Sequence, residues 1–323
     1  MNKQLKKFLN NRATISPWSI VGTDRNNFTA VAIIPALAEM ESLPQTLASL
    51  TANPEEYLQQ TLILVVVNNR IDAATNQKEN NRKTLEWLKS QPYLQLNLAF
   101  IDASSPTFEL PTKEGVGLAR KIGFDLALQF MDWSKSTFFI SLDADTLVDQ
   151  NYLPAIFKYF QKAVKGGVVL PFRHQLGETR EQEAAIRDYE LYLRSYLFGL
   201  QQAGSPYAYH AIGSAFACRA EAYIAAGGMN RRHAAEDFYF LQQLAKVSGI
   251  EMLQGTVIHP SPRISTRVPF GTGKAVQSQI EKEQQIYSFI SADSFQLLKN
   301  LFGLIGRHLD SSAETVLNAA TAL

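Results

Sequence analysis

The chain has 323 residues, of which 46% are hydrophobic, so it is long enough to bury a substantial core. Its 31 Lys and Arg residues nearly balance its 30 Asp and Glu residues, which argues against the basic field that duplex nucleic acid requires, and we expect no nucleic-acid partner. The single cysteine, Cys218, excludes an intramolecular disulfide, and no run of about 18 apolar residues predicts a transmembrane segment. A reducing, cytoplasmic location is expected.

Residues 1–27 are predicted to form an N-terminal extension. The first eleven residues carry three lysines but lack the apolar run of a secretory signal, so no export is predicted. Leu5, Phe8 and Leu9 beside these lysines have two interpretations. The favoured one is a frayed terminal helix, and the other is a helix that makes weak peripheral contact with a membrane surface.

From residue 28 to residue 160, short apolar runs alternate with helical patterns, which is typical of a largely parallel sheet covered by helices. Strands are predicted at residues 29–34, 62–67, 94–101 and 137–142. One helix is expected to bury Leu43, Leu47 and Leu50, and another follows Gly117. Ligands of such sheets bind beyond the carboxyl ends of the strands, so the residues after each strand are the first functional candidates.

The second half of the chain is less regular. A strand is predicted at residues 168–171, followed by a helix from about residue 181 to 200. A further helix begins near Ala235, and another strand ends at Ile258. Residues 260–274 mix proline, glycine and basic side chains without periodicity, so they are predicted to be a mobile loop.

The run from Phe138 to Asp145 is an apolar strand that ends in two carboxylates, Asp143 and Asp145. Alternation along an extended chain places both carboxylates on the same side, where they can hold Mn²⁺ or Mg²⁺ directly or through water. Such an ion can bridge diphosphate oxygens and stabilise the charge of a leaving group. The alternative is a strand-end aspartate that only caps a turn.

Glu236 and Asp237 open a predicted helix, after a segment of mostly small residues at positions 210–216. The helix dipole alone favours carboxylates there, so a simple helix start is one interpretation. The other is a general base, because an aspartate in a cleft can take the proton of an attacking hydroxyl.

The landmarks of the chain follow one another in a characteristic order. They are Ile34-Pro35 with Glu39, Gly115-Val116-Gly117-Leu118-Ala119-Arg120, Asp143-Ala144-Asp145, Gly213-Ser214-Ala215-Phe216, and Glu236-Asp237. This order, over roughly residues 29–259, resembles that of family 2-type glycosyltransferases of the GT-A fold.

The resemblance implies an α/β fold with a Rossmann-like, mixed and mostly parallel sheet flanked by helices, and a helical C-terminal tail. The GT-A domain would cover residues 28–274. Its nucleotide-sugar-binding half would be residues 28–150, its acceptor half with a lid loop residues 151–274, and the tail residues 275–323.

The resemblance also implies an enzyme that transfers a hexose-like sugar from a UDP- or GDP-linked donor to an unknown hydroxyl acceptor. Asp237 would be the base of an inverting displacement, and Asp143 and Asp145 would hold the metal. Donor contacts are expected from Pro35, Ala36, Glu39, Asn69, Asp102, Lys113, Gly115, Arg120, Asp143, Arg263 and Arg267. Acceptor contacts are expected from Gly213, Ser214 and Glu236.

Several of these residues have a second interpretation. His259 follows a predicted strand near the place where some enzymes of the GT-A fold have a third metal ligand, and it is equally a structural histidine. Asp102 is expected either to contact the base or ribose of the donor or to cap the following turn. Arg263 and Arg267 belong either to a basic lid over the diphosphate or to an ordinary solvated loop.

The sequence departs from the family pattern in two places, which bear on the donor nucleotide and on whether the enzyme is processive. Asn68 and Asn69 stand where the family usually has acidic residues after the second strand, although an asparagine can still bond to a base edge. The Q-x-x-R-W acceptor motif of processive synthases is absent, which favours an enzyme that adds a single sugar.

Three other functions compete with glycosyl transfer. A phosphatase of the haloacid-dehalogenase type is suggested by Asp143-Ala144-Asp145-Thr146, but Leu147 stands where that motif has Thr or Val. A nucleotidyltransferase would use a similar sheet, but no glycine-rich phosphate loop follows the first strand. A non-catalytic module that binds a sugar nucleotide is the third.

Overall fold

The computed structural model describes residues 3–232, 235–264, 271–282 and 287–321. The chain divides into two compact units. The first contains Met1–His174 and Ala211–Ser261, and the second contains Gln175–His210 and Pro262–Leu323.

The first unit is built on an eight-stranded sheet. Its strands are β1 (Ile20–Val21), β2 (Ala30–Ala36), β3 (Thr61–Asn68), β4 (Asn97–Ala103), β5 (Phe138–Ser141), β7 (Gly167–Val169), β8 (Phe216–Arg219) and β9 (Ile250–Met252). The strand order is β1-β4-β3-β2-β5-β8-β7-β9, and four of the seven pairings are parallel. β6 (Leu147–Val148) and β10 (Ile258–His259) form a separate antiparallel ribbon.

Helices cover the sheet of the first unit. They are α1 (Lys3–Asn11), α2 (Leu43–Thr51), α3 (Glu55–Leu58), α4 (Thr75–Lys89), α5 (Val116–Ala127), α6 (Tyr152–Lys162), α8 (Ala220–Ala225) and α9 (Glu236–Ser248). The central strands β2 and β3 are buried along their whole length. Their sequences are almost continuously apolar, as is typical of strands that are covered on both faces. The predicted fold class, a mixed and mostly parallel sheet flanked by helices, is confirmed.

Three strands of the sheet, β1, β8 and β9, were not predicted, and β8 matters most for the site. β8 follows the segment of small residues and runs antiparallel between β5 and β7, with Phe216 opposite both Ser141 and Val169. It therefore lies beside the strand that leads to Asp143.

The N-terminal helix differs from the expectation of a frayed helix. Leu5 and Phe8 are buried, and the Phe8 ring packs edge to face on Tyr223 with 5.8 Å between ring centroids. A membrane-contacting face made of Leu5, Phe8 and Leu9 would thus lose two of its three apolar side chains to the interior of the first unit.

The second unit consists of α7 (Arg180–Gln202), α10 (Thr272–Lys282), α11 (Ala292–Arg307) and α12 (Ala313–Ala320). Ile186 of α7 and Val276 of α10 are fully buried in its small core. Helix α10 begins at Thr272, so the end of the loop predicted at residues 260–274 is helical, while residues 265–270 lie outside the described chain. Among the described helices, none is long and apolar enough to cross a membrane.

Candidate active site

Two carboxylates follow β5 at the carboxyl edge of the sheet. β5 lies between β2 and β8, and the backbone turns sharply after it, with the Thr146 amide donating to the Asp143 carbonyl at 3.2 Å. Asp143 and Asp145 are both half-buried, and Ala144 between them is buried. The turn therefore holds both carboxylates just after the strand end, where an extended chain had been expected, and their role as metal ligands stays a prediction.

Arg120 joins this turn to the start of α9. It extends from α5 and is buried, with its Nε donating to Ser141 Oγ at 3.1 Å. Its Nη1 donates to Glu236 Oε1 at 2.6 Å, and its Nη2 donates to Asp143 Oδ1. One guanidinium thus connects α5, β5 and α9.

Burial and the surrounding carboxylates act on the pKa of this guanidinium in opposite directions. Burial, the largest single influence, acts to lower the pKa of Arg120, but the neighbouring carboxylates outweigh it and hold the pKa above its usual range. Gly213 lies against the same group, because a Cβ added there would be 2.4 Å from Nη2. Arg120 was predicted to contact the donor. In the structure its guanidinium donates hydrogen bonds to three protein side chains.

Glu236 also differs from its predicted role. It was expected to contact the acceptor, but its side chain is buried and ion-paired with Arg120. A buried carboxylate needs such a partner, because an unpaired charge in the interior is strongly unfavourable. Glu236 is therefore placed to anchor the start of α9, and its contact with an acceptor stays a prediction.

Asp237 has the properties expected of a general base. Its Oδ1 accepts a hydrogen bond from the Phe238 amide at 2.7 Å, and its side chain is half-buried. Loss of water contact raises the pKa of Asp237 to about 7, with a further increase from the Glu236 charge and a decrease from Arg120. A carboxylate with a pKa near neutrality can both accept and release a proton under ordinary conditions.

A close backbone contact fixes the segment before α9. A Cβ at Gly117 would lie 2.3 Å from the carbonyl oxygen of Arg232 and 3.1 Å from that of Asn230. The Asn230 side chain in turn donates to the Glu236 carbonyl at 2.8 Å. Glycine at position 117 thus allows α5 and this segment to approach each other beside the site.

The ends of β3 and β4 carry polar side chains that are largely engaged by the protein itself. Asn69, predicted to contact the donor base, accepts from Asn81 Nδ2 at 2.8 Å and donates to the Arg70 carbonyl at 3.1 Å. Asp102 Oδ1 accepts from the Ser104 and Ser105 amides at 3.0 and 2.9 Å, so it caps a turn as its second interpretation required.

The remaining predicted donor and acceptor residues occupy varied positions in the first unit. Pro35, Ala36 and Glu39 are buried at or just after the end of β2, and the Glu39 carbonyl accepts from the first residue of α2 at 2.8 Å. Lys113 is exposed, and Gly115 directly precedes α5. Ser214 is buried before β8.

His259 lies in β10, opposite Leu147 of β6 and therefore close in the fold to Asp145. Its Nε2 is 3.2 Å from Asp149 Oδ1, and its Nδ1 is 3.0 Å from the Arg173 carbonyl oxygen. Which ring nitrogen carries the proton depends on the tautomer, and the two contacts hold the ring against the β6–β10 ribbon. The role of His259 as a metal ligand stays a prediction.

The two arginines of the predicted basic lid are not among the described residues of the first unit. Arg263 belongs to the second unit, and Arg267 lies outside the described residues. The lid stays a prediction.

Sequence reasoning missed three supporting residues. Ser141 accepts from Arg120, Asp149 contacts His259, and Asn81 accepts from the Ala38 amide at 2.8 Å while donating to the Asn68 carbonyl at 3.0 Å. The only available signal was that Ser141 is a polar residue in an otherwise apolar strand.

The carboxylates suit a metal ion whose ligands come partly from a substrate. In the described part of the chain, no group of three His, Cys, Asp or Glu side chains is placed to hold a metal ion. Mg²⁺ is typically bound by one or two carboxylates together with water and phosphate oxygens. Asp143 and Asp145 therefore fit a shared metal–diphosphate site rather than a cage made by the protein alone.

The comparisons with known proteins assign no activity to the chain. No protein-family model and no curated protein matches the chain. S. aureus TarS 1–349, solved with UDP-GlcNAc, is 10% identical, with a TM-score of 0.49 over 84% of this chain and 70% of that chain. Mannosyltransferase PcManGT from Pyrobaculum calidifontis, solved with GDP-Man and Mn²⁺, is 14% identical, with a TM-score of 0.48 over 99% of this chain and 85% of that chain. Likeness at this level does not assign an activity, so the function must be inferred from the site itself.

Proposed function

We propose that the protein is a glycosyltransferase that moves a sugar from a nucleotide-diphosphate sugar to an acceptor hydroxyl. The observation that carries the proposal is the cluster in which Arg120 links Asp143 to Glu236, with Asp237 next to Glu236 at the start of α9. It combines oxygen ligands for a metal–diphosphate group with a carboxylate whose pKa burial raises to about 7. The order of sequence landmarks supports the same reaction.

Asp145 and Asp143 would hold Mn²⁺ or Mg²⁺ in this proposal. When bound, the ion would supply Lewis-acid stabilisation of the departing nucleoside diphosphate. The protein's own contribution is to hold the two carboxylates at the end of a rigid strand. Arg120 orients Asp143 and offsets part of the negative charge that would otherwise accumulate where the donor diphosphate binds.

Asp237 would take the proton of the acceptor hydroxyl as its oxygen attacks the anomeric carbon. The bond from that carbon to the diphosphate oxygen breaks at the same time, which inverts the configuration. The proton on Asp237 then leaves to solvent, since a carboxylic acid with a pKa of about 7 releases it readily. One sugar would be added in each encounter.

Release of nucleoside diphosphate tests the proposal. We expect slow metal-dependent release from at least one UDP- or GDP-linked sugar in water, and faster release when the acceptor is present. Release of pyrophosphate from a nucleoside triphosphate would instead indicate a nucleotidyltransferase. Free phosphate from phosphoesters would indicate a phosphatase, and binding without turnover would indicate a binding module.

Asp145→Ala is predicted to abolish the part of nucleoside diphosphate affinity that depends on Mn²⁺, because a principal oxygen ligand is lost. Calorimetry with and without Mn²⁺ measures that difference directly. Asp132→Ala is the matched control, since Asp132 lies in the turn before β5 and pairs with Lys135 at 3.1 Å. Unchanged metal-dependent affinity in the Asp145 variant would contradict the metal assignment.

A further inference from the structure

Helix α9 exposes two aromatic side chains directly after Asp237. Phe238 is 49% exposed and Tyr239 is 38% exposed, while the following residues, Phe240 and Leu241, are buried. Single exposed apolar residues are common on protein surfaces and need no explanation. Two adjacent exposed rings next to a candidate base are a different case, because a substrate that reaches the base must contact the side chains around it.

These rings form a defined surface with a third side chain. The Phe238 and Tyr239 rings pack edge to face with 5.4 Å between centroids, and the Arg232 guanidinium lies 3.7 Å from the Tyr239 centroid. We call Phe238, Tyr239 and Arg232 the aromatic platform. Arg232 covers a face of Tyr239, which leaves Phe238 as the more exposed ring.

The backbone that carries Arg232 is held by the same contacts that fix the start of α9. The Arg232 amide donates to Asn230 Oδ1 at 3.1 Å, and Asn230 is bonded to the Glu236 carbonyl. The Arg232 carbonyl lies in the close contact at Gly117. The platform is therefore attached to the start of α9 through short backbone and side-chain contacts.

We propose that the aromatic platform binds the acceptor and that the acceptor is a saccharide. The inference rests on the proposed function, which requires an acceptor hydroxyl at Asp237. A sugar ring has a face of C–H groups that stacks on an aromatic ring, and its hydroxyl oxygens accept hydrogen bonds. The platform matches both features of a sugar ring. Phe238 offers an exposed aromatic ring for stacking, and the Arg232 guanidinium offers hydrogen-bond donors.

The proximity of the platform to Asp237 fits an acceptor of more than one sugar unit. The Asp237 carboxylate is bonded to the amide of Phe238, so both lie in the first turn of α9. Asp237 and Phe238 are adjacent helix positions that leave the helix about 100° apart, so an extended acceptor is best suited to contact both. An oligosaccharide can place one ring on Phe238 while the next presents its hydroxyl to Asp237.

The test uses Phe238→Ala, with Phe238→Trp as the conservative variant and Val247→Ala as the matched control. Val247 is 48% exposed on the same helix, nine residues and so about 13 Å further along. Cellobiose, chitobiose and mannobiose serve as saccharide probes, and a fatty alcohol and a serine peptide represent the other acceptor classes. Donor turnover in water and saturation-transfer NMR of each probe are measured for every variant.

We expect at least one disaccharide to contact the wild-type protein in the NMR experiment and to accelerate release of nucleoside diphosphate. Phe238→Ala should raise the disaccharide concentration needed for half-maximal acceleration about 10-fold, while kcat, donor affinity and donor hydrolysis in water stay the same. Phe238→Trp and Val247→Ala should remain near the wild type.

Lack of disaccharide contact at about 10 mM would overturn the proposal, as would contact that Phe238→Ala leaves intact or acceleration by only the alcohol or the peptide. Failure of the underlying function is distinguishable. In that case the wild type would release no nucleoside diphosphate from any donor, with or without a probe.

Discussion

At the scale of single residues, Arg120 holds the candidate site together. Its guanidinium is buried and bonds to side chains from β5 and α9 and to one carboxylate of the turn after β5. Arginine suits this position better than lysine because its planar fork donates in several fixed directions and stays charged when buried. The same residue was predicted to contact the donor, and that role stays a prediction beside its contacts with protein groups.

Arg120→Leu is predicted to lower the free energy of unfolding by about 3–5 kcal/mol, because the buried Glu236 carboxylate is left without its partner. Urea denaturation measures the change. Arg82→Leu is the control, since Arg82 pairs with Glu79 and Glu86 on the surface of α4 and should matter little. Equal unfolding free energies of the two variants would contradict the anchoring role of Arg120.

Asp237 should make stability depend on pH. Burial raises its pKa to about 7 in the fold from the ordinary value of 3.8 expected in the unfolded chain, so the folded protein binds this proton more tightly. Ionisation of Asp237 therefore costs stability as pH rises from about 4 to about 7, and the cost is constant above that range. Asp237→Asn lacks this cost.

The melting temperature of Asp237→Asn minus that of the wild type is thus predicted to be larger at pH 8 than at pH 4. Differential scanning calorimetry of both proteins in buffers across this range provides the measurement. A difference that stays constant with pH would show that burial does not raise the pKa of Asp237.

At the scale of elements, the site depends on how the start of α5 meets the segment before α9. Gly117→Ala would bring a methyl group to 2.3 Å from the Arg232 carbonyl oxygen, and the segment must move to relieve the clash. We predict a stability loss of about 1–3 kcal/mol and reduced turnover. Gly306→Ala is the matched control, because it lies within α11 with open space around its Cβ position and should gain about 0.5–1 kcal/mol. Thermal unfolding of both variants measures the effects, and the same sign of change in both would be inconsistent with this contact.

The main strands were predictable from sequence because β2, β3 and β5 each contain a continuous apolar run, with a polar residue within three positions of the strand end. β8 was not predicted, because Phe216–Arg219 is four residues long and follows a segment of small residues. The ion-pair cluster had no local signal, since Arg120 is 23 residues from Asp143 and 116 residues from Glu236. The sequence therefore singled out Arg120, Asp143 and Glu236 separately, but it gave no sign that Arg120 pairs with both carboxylates.

At the scale of the whole molecule, the residues that carry the proposed chemistry lie in one of the two units. Asp143, Asp145, Arg120 and Asp237 all belong to the first unit, and α1 packs within that same unit through Phe8. The first unit thus contains the sheet, the candidate metal ligands and the candidate base. The basic residue Arg263 belongs to the second unit, so its lid role is a separate hypothesis that can fail without affecting the central claim.

The central claim is that Asp237 is the base of a glycosyl transfer at this site. Asp237→Asn keeps the size of the side chain and its ability to accept from the Phe238 amide, but it removes the basicity. Release of nucleoside diphosphate from the preferred donor in the presence of the acceptor should fall about 10²–10⁴-fold, with donor affinity measured by calorimetry unchanged. Near-normal turnover in Asp237→Asn, or a loss of donor affinity in proportion to the loss of turnover, would contradict the claim.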